Sequence, residues 1–586
     1  MPPKTVNMKS ILLRVAILAV SALMLAFTVH TFQQPETLDV ASYKKKTIIR
    51  CTADWEALKQ WLEEVDIPPM PGAGKYVWNI STKNDSAQFY FNQGINMYYG
   101  FHIIEAMASF KKAAKFDASC AMLHWAQALS YGPNINDFGY RASPEALNAL
   151  AKAKEFSSSA TPFEQALIDA MSVRYTTDSS DATRASLNIA YTAKMKTVYD
   201  QFKTIADAHA LYADAMMLEH PWDLWNINGT PKAWTPLIRE VLEGMLAKFP
   251  MHPGANHYYI HVMEPSPFAK LALPSADRLG ITNPGLSHLV HMPSHIYLRT
   301  GNYTKGVSVN TSAVNSYKQY TNLFAPVTGA DFLYIIHNVH MKTNNAMMMG
   351  NEAIAVAAAA ETQQSIPVDY LSIPPPMGSY IQYIFMTPVL VHIRFGNWNE
   401  LLQLPKPDAA QVYANVLYHF GRGMAFANTN KLTASKVELG AIQVLMKDSS
   451  LYIPFTPFSP AIDGAVVAEQ LLAGTIALKE NKLNDAIAAF EKAVTTDDGI
   501  VYNEPRDWML NSKHYLGNAY LQMGNSVKAQ AVFERDLVYN NENGWALMGL
   551  HKALLMQKKL TEAAAVKARF QKAFVKADVK PEGAVF

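Results

Sequence analysis

Histidine is unevenly placed in this chain of 586 residues: eight of its 17 histidines fall between His252 and His340. The segment HPGANHYYIHVMEPS sets His257, His261 and Glu264 at i, i+4 and i+7, one stripe of one helix. The segment SHLVHMPSHIY sets His288, His291 and His295 at i, i+3 and i+7, with Pro293 inside the stripe. FLYIIHNVHMK adds His337 and His340 at i and i+3. Neutral imidazole is the commonest metal ligand, and a His/His/carboxylate set suits zinc, copper or iron. The chemistry open to these residues is transition-metal binding through His257, His261, Glu264, His288, His291, His337 and His340. His295, beyond the proline, and His252, before Pro253, are the outer members. Glu264 is either a ligand or the base that deprotonates a metal-bound water, and so the one catalytic candidate. Tyr258, Tyr259 and Asn256 are candidate hydrogen-bond partners for the ligands. Met292 and Met341 each follow a histidine, but neighbours on a helix point about 100° apart, so thioether ligation is not expected. A buried hydrogen-bonded network, or direct contact with an organic ligand, would use the same residues.

Helices must position this set. Beyond residue 85 apolar residues recur at helical spacing. Gly94, Ala106, Phe110 and Ala113 repeat their spacings at Gly474, Ala486, Phe490 and Ala493, and in part at Gly517, Ala529 and Phe533. Small residues where two helices touch, closed by one aromatic, resemble the tetratricopeptide repeat. The resemblance covers residues 86–155 and 465–570 and implies an all-α fold, a right-handed α-solenoid of such helix pairs. Longer, irregular repeats are expected in the middle, where a Gly-Asn pair, a good helix stop, recurs at Gly301, Gly350, Gly396 and Gly524. On that ruler His288 matches His337 and His291 matches His340. Three successive helices would then bring their imidazoles together on the concave face. Pro293 and Pro388 should kink their helices.

The expected divisions are 1–36, an address segment; 37–85, a leader; 86–250, N-terminal repeats; 251–464, irregular central repeats; and 465–586, C-terminal repeats. Lys4, Lys9 and Arg14 precede the apolar run Val15–Val29, the build of a signal peptide or uncleaved anchor. Export to the periplasm or cell surface is the expectation, with membrane contact only through that segment. Cys51 and Cys120 are the sole cysteines, which excludes a disulfide scaffold and leaves one possible bridge. With Lys+Arg 51 against Asp+Glu 49, there is no basic excess for nucleic acid. Phosphate-binding glycine loops, the G-x-S-x-G elbow and H-E-x-x-H are absent from the sequence.

The block HYYIHVMEPSPFAKLALPSADRLG, followed by HLVHMPSHIYLRTGNY, is similar to one in exported bacterial tetratricopeptide-repeat proteins. That resemblance implies fold and class and carries no reaction. The expected function is binding: a scaffold whose concave groove takes a protein, a peptide or a small molecule and holds a metal. A metal-dependent hydrolase or oxidoreductase using the same cluster is the alternative.

Overall fold

The computed structural model describes residues 53–137, 140–178, 180–324, 332–505 and 508–586. The address segment 1–36 and Cys51, hence the question of a bridge to Cys120, lie outside the described residues. Residues 49–586 form one compact unit. Among the described residues the regular structure is helical, with only two isolated β-bridges, Trp225 with Pro231 and Phe455 with Phe458.

The repeat spacing has a direct physical basis. Gly94, Gly474 and Gly517 each face the ring of Phe110, Phe490 and Phe533, and an added Cβ would lie 2.5 Å from a ring carbon at all three. A side chain there would force helix and ring apart, so the glycine sets the closeness of each pair. Gly517→Ala should therefore destabilise the protein by about 1–3 kcal/mol through overpacking, read as a lower denaturant midpoint. Successive helices pack on one another along the chain. The architecture is tetratricopeptide-like.

The Gly-Asn pairs mark the longer repeats. Gly301, Gly350, Gly396 and Gly524 have φ of 77°, 72°, 73° and 80°, the left-handed region that only glycine enters without strain. Each following asparagine occupies the N-cap of the next helix, and Asn351 and Asn525 accept from the Ile354 and Lys528 amides. The two prolines do more than kink. One helix, Ser287–His291, ends just before Pro293, which opens the next, Pro293–Arg299; likewise Pro388 lies in the first turn of Thr387–Phe395. The leader is not detached: Gln93 and Asn92 side chains accept from the Met70 and Trp78 amides at 2.8 and 3.1 Å. Helix Ala461–Lys479 is long and apolar enough to cross a membrane, but its Gly474 is seated on Phe490 within a repeat pair.

Two large apolar clusters divide the chain, one from Trp55 to Phe324 and one from Ile336 to Ala584. The division falls inside the expected central block. Contacts distant in sequence then fold the array onto itself. Helix Asp85–Tyr99 touches helix Pro253–Met263, and helix Asn338–Met349 touches helix Gly544–Met556. The Tyr303 hydroxyl donates to the Asn541 carbonyl at 2.7 Å, Trp545 donates to the Met347 carbonyl at 2.9 Å, and the Phe574 ring covers Gly350. The C-terminal repeats thus close over the middle of the array.

Candidate metal centre

His257 and His261 stand one turn apart on helix Pro253–Met263, a segment buried along its whole length. The His257 Nδ1–H donates to the Tyr99 carbonyl at 2.6 Å, since a carbonyl can only accept. That fixes the tautomer and leaves the Nε2 lone pair facing inward. It meets His261 Nε2 at 3.0 Å and His288 Nε2 at 3.1 Å, so three ring nitrogens converge. The second group is built alike. His291 Nδ1–H donates to Asn310 Oδ1 at 2.6 Å, and its Nε2 lies 2.7 Å from His295 Nε2. The His337 ring completes this group, 4.6 Å from the His291 ring and 5.4 Å from the His295 ring between centroids.

Glu264 joins the two groups from outside. Its Oε1 accepts from His261 Nδ1 at 2.9 Å, and its Oε2 lies 2.8 Å from His295 Nδ1, at ion-pair distance but off the hydrogen-bond line. The Tyr502 hydroxyl donates to the same Oε2 at 2.6 Å, and Glu504 Oε1 lies 3.3 Å from His261 Nδ1. Carbonyl, carboxylate and amide oxygens thus hold the outer nitrogens of His257, His261 and His291 while the inner ones face each other, the usual arrangement around a metal.

Electrostatics divide the imidazoles. Burial, reinforced by neighbouring rings, holds His257, His288, His291 and His337 neutral, their pKa values well below the ordinary range. Burial also opposes charge on His261, but the bonds to Glu264 and Glu504 outweigh it and push its pKa up to about 9. His295 is raised against burial by Glu264. Glu264, though buried, is held well below the carboxylate range by His295 and His261, whereas burial and Glu264 together raise Glu504.

The sequence-expected residues are only partly brought together. His257, His261, His288, His291, His295 and His337 form the two groups, and Glu264 contacts members of both from the Nδ1 side. His340 stands outside the groups: three residues on from His337, it turns its ring edge to Tyr383, and neither of its nitrogens has a hydrogen-bond partner. His252 instead caps its helix, its Nδ1 accepting from the Ala255 amide. The outer partners are also different from those expected. Tyr259 donates to Glu243, Asn256 donates to the Pro250 and His252 carbonyls, and the Tyr258 hydroxyl has no partner. Met292 and Met341 lie in apolar clusters. Nor does the cluster line an open groove. Its histidines are at most 5% exposed, because residues 502–504 return from the C-terminal repeats to cover them.

Tyr502, Glu504 and Asn310 escaped the sequence reading. The pairing of His291 with His295 left a signal, however: the H-x-x-x-H of 257/261 recurs at 291/295, and both steps equal the 34-residue repeat period. Arg299 and Arg394 hold equivalent places, two residues before Gly301 and Gly396. They stack on Tyr539 and Trp545 of the C-terminal repeats, at 5.2 and 5.0 Å. Asn134 caps its turn by accepting from the Asn136 amide, and Asn136 accepts from Trp222. The Trp222 ring stands edge-on to His261 at 5.4 Å. On the other side it lines a surface cleft of about 790 Å³ with Trp225, Lys232, Lys513, Arg535 and Tyr539.

No family model matches the chain, and no curated protein sequence does. Among solved structures it is similar to the human IFIT1 dimer with m7Gppp-AAAA, at 10% identity over 88% of this chain and 99% of that one, with a TM-score of 0.29. It is also similar to the TPR domain of P58(IPK), at 11% identity over 81% and 98% and a TM-score of 0.20. A third similarity is to the APC/C hetero-tetramer Cut9-Hcn1, at 11% identity over 90% and 81% and a TM-score of 0.27.

Proposed function

We propose that this chain is a metal-binding helical-repeat protein whose two histidine groups take transition-metal ions. One observation carries the reading: the inner Nε2 atoms converge to 2.7–3.1 Å while the outer nitrogens of His257, His261 and His291 are tied to oxygen acceptors. A hydrogen bond between two rings needs one proton, yet His257 Nε2 has two nitrogen neighbours and a single lone pair. A metal ion satisfies all three rings at once. A hydrogen-bonded core without metal would leave that lone pair shared. Elemental analysis of full-length protein purified without chelators, followed by titration with zinc, copper and iron salts, tests the reading. At least one transition-metal ion per chain is expected; none bound and none taken up would overturn it.

Catalysis at the centre is the second reading, favoured by the cleft that ends on Trp222 beside His261. In this reading the ring is the wall between a ligand and the metal, and three-histidine coordination leaves a position for water or substrate. Glu264 supports the centre from the Nδ1 side rather than as the base. The apolar run Val15–Val29 supports export, and the outer faces of the repeats are the surface for any protein partner.

A further inference from the structure

The number and the kind of ion follow from counting donors and charges, an inference that rests on the metal-binding reading above. There are two groups of three histidines, not one group of six: His257, His261 and His288, then His291, His295 and His337. The rings of His288 and His291, one from each group, are centred 6.0 Å apart, so the groups are neighbours. In each group the donors are imidazole nitrogens alone. Hard cations such as magnesium, calcium or manganese favour oxygen donors, which removes them from the two histidine groups; a third set, His261 with Glu264 and Glu504, gathers on the Nδ1 side of His261.

Charge separates the remaining ions. All six rings are buried, and the carboxylates in contact with them are Glu264 and Glu504. Arg299 lies beyond the Tyr502 ring, 5.8 Å from its centroid, and donates to the Ser266 carbonyl. Two divalent ions would bring four positive charges against these two carboxylates, a large uncompensated charge in a region without water exposure. Two monovalent ions need no more than the charge of Glu264 and the one Glu504 gains on losing its proton beside a cation. Copper(I) is the monovalent transition ion that accepts three nitrogen donors in a plane and needs no fourth ligand. Zinc in a closed site takes four.

We propose that the two groups bind one copper(I) ion each, side by side, with Glu264 as their shared outer carboxylate. Its two oxygens contact one ligand histidine of each group, so one carboxylate faces both sites.

The test uses the full chain, stripped with chelator and handled anaerobically with a reductant. It is titrated with copper(I) against a chromophoric copper(I) chelator, and the copper K-edge absorption is then recorded. Two copper ions per chain, each with three nitrogen neighbours, are expected. His288→Ala and His337→Ala should each lower the stoichiometry from two to one while the helical circular dichroism is unchanged. If either variant fails to fold, stoichiometry and edge spectrum of the unaltered chain decide alone. One copper ion per chain, or zinc(II) displacing copper(I) at equal concentration, overturns the inference while leaving the metal-binding reading standing. Failure to take up any of copper, zinc or iron overturns that reading itself.

Discussion

Glu264→Gln should weaken metal binding at both histidine groups together, by about 10–100-fold, the usual consequence of removing a ligand's outer carboxylate. The expectation follows from position. Glu264 contacts His261 Nδ1 with one oxygen and His295 Nδ1 with the other, so a single side chain orients one ligand in each group. Glutamine keeps the volume but presents an amide N–H to one of two ring N–H groups, and it removes the negative charge. Because residue and partners are fully buried, the metal-free protein should also lose about 3–5 kcal/mol, the cost of stripping a buried charge of its partner. Asn310→Ala, by contrast, touches only His291 and should weaken one group. Tyr502→Phe removes one hydrogen bond to the carboxylate and should cost about 1.5–3 kcal/mol. Calorimetric titration and thermal unfolding in chelator measure these effects. Unchanged affinity in Glu264→Gln would remove the carboxylate from the centre.

The metal-free protein should be most stable near pH 6.5 and lose stability steeply in acid. A histidine held neutral by burial stays unprotonated when folded but binds a proton when unfolded, so stability falls as pH drops below about 6.5. His102, held near pKa 3, and His340, near 4, behave this way, as do His257, His288, His291 and His337. Three buried carboxyls act in the opposite sense. Glu105 is pushed up to about 7, Asp214 to about 6, and Glu504 is raised, so the folded state keeps protons that the unfolded chain releases above about pH 4.5. The histidines held neutral outnumber these carboxyls, so unfolding takes up protons between pH 5 and 6 and stability falls as pH drops through that range. On the alkaline side the sign reverses. His261, with its pKa near 9, and the raised His295 contribute stability that is complete below about pH 6.5 and is lost as pH rises through their folded pKa values. Denaturant midpoints from pH 5 to 9 in chelator measure the profile. A midpoint independent of pH below 6.5 would contradict it.

The helix pairs were legible because their signal is local and steric. A glycine opposite a phenylalanine ring has no substitute at that distance, and the spacing Gly94 to Phe110 reappears at Gly474 and Gly517. The Gly-Asn stops were legible for the same reason, since left-handed φ and an N-cap follow from residue type. The concentration of histidine located the centre, but not its internal pairing. A continuous helix would carry His288, His291 and His295 as one stripe. The break at the proline falls between His291 and His295, yet the groups divide one step earlier: His288 joins His257 and His261, while His291 meets His295 across the break and both join His337. Tyr502 and Glu504 had no local signal, for they reach Glu264 and His261 from 238 to 243 residues further along the chain. The expected groove was a property of an open array, and this array folds back and fills it.

That folding back changes how the molecule should come apart. In a solenoid each repeat touches only its neighbours, so the end repeats can fray while the rest remains folded. Here the last repeats are not free ends: Phe574 sits on Gly350, Trp545 is bonded to Met347, and Tyr502 to Glu264. Releasing the C-terminal helices uncovers the imidazoles and breaks contacts in the other apolar cluster at the same moment. Amide exchange in the C-terminal helices should then report the opening energy of the centre, which makes an apparently modular chain a single cooperative unit.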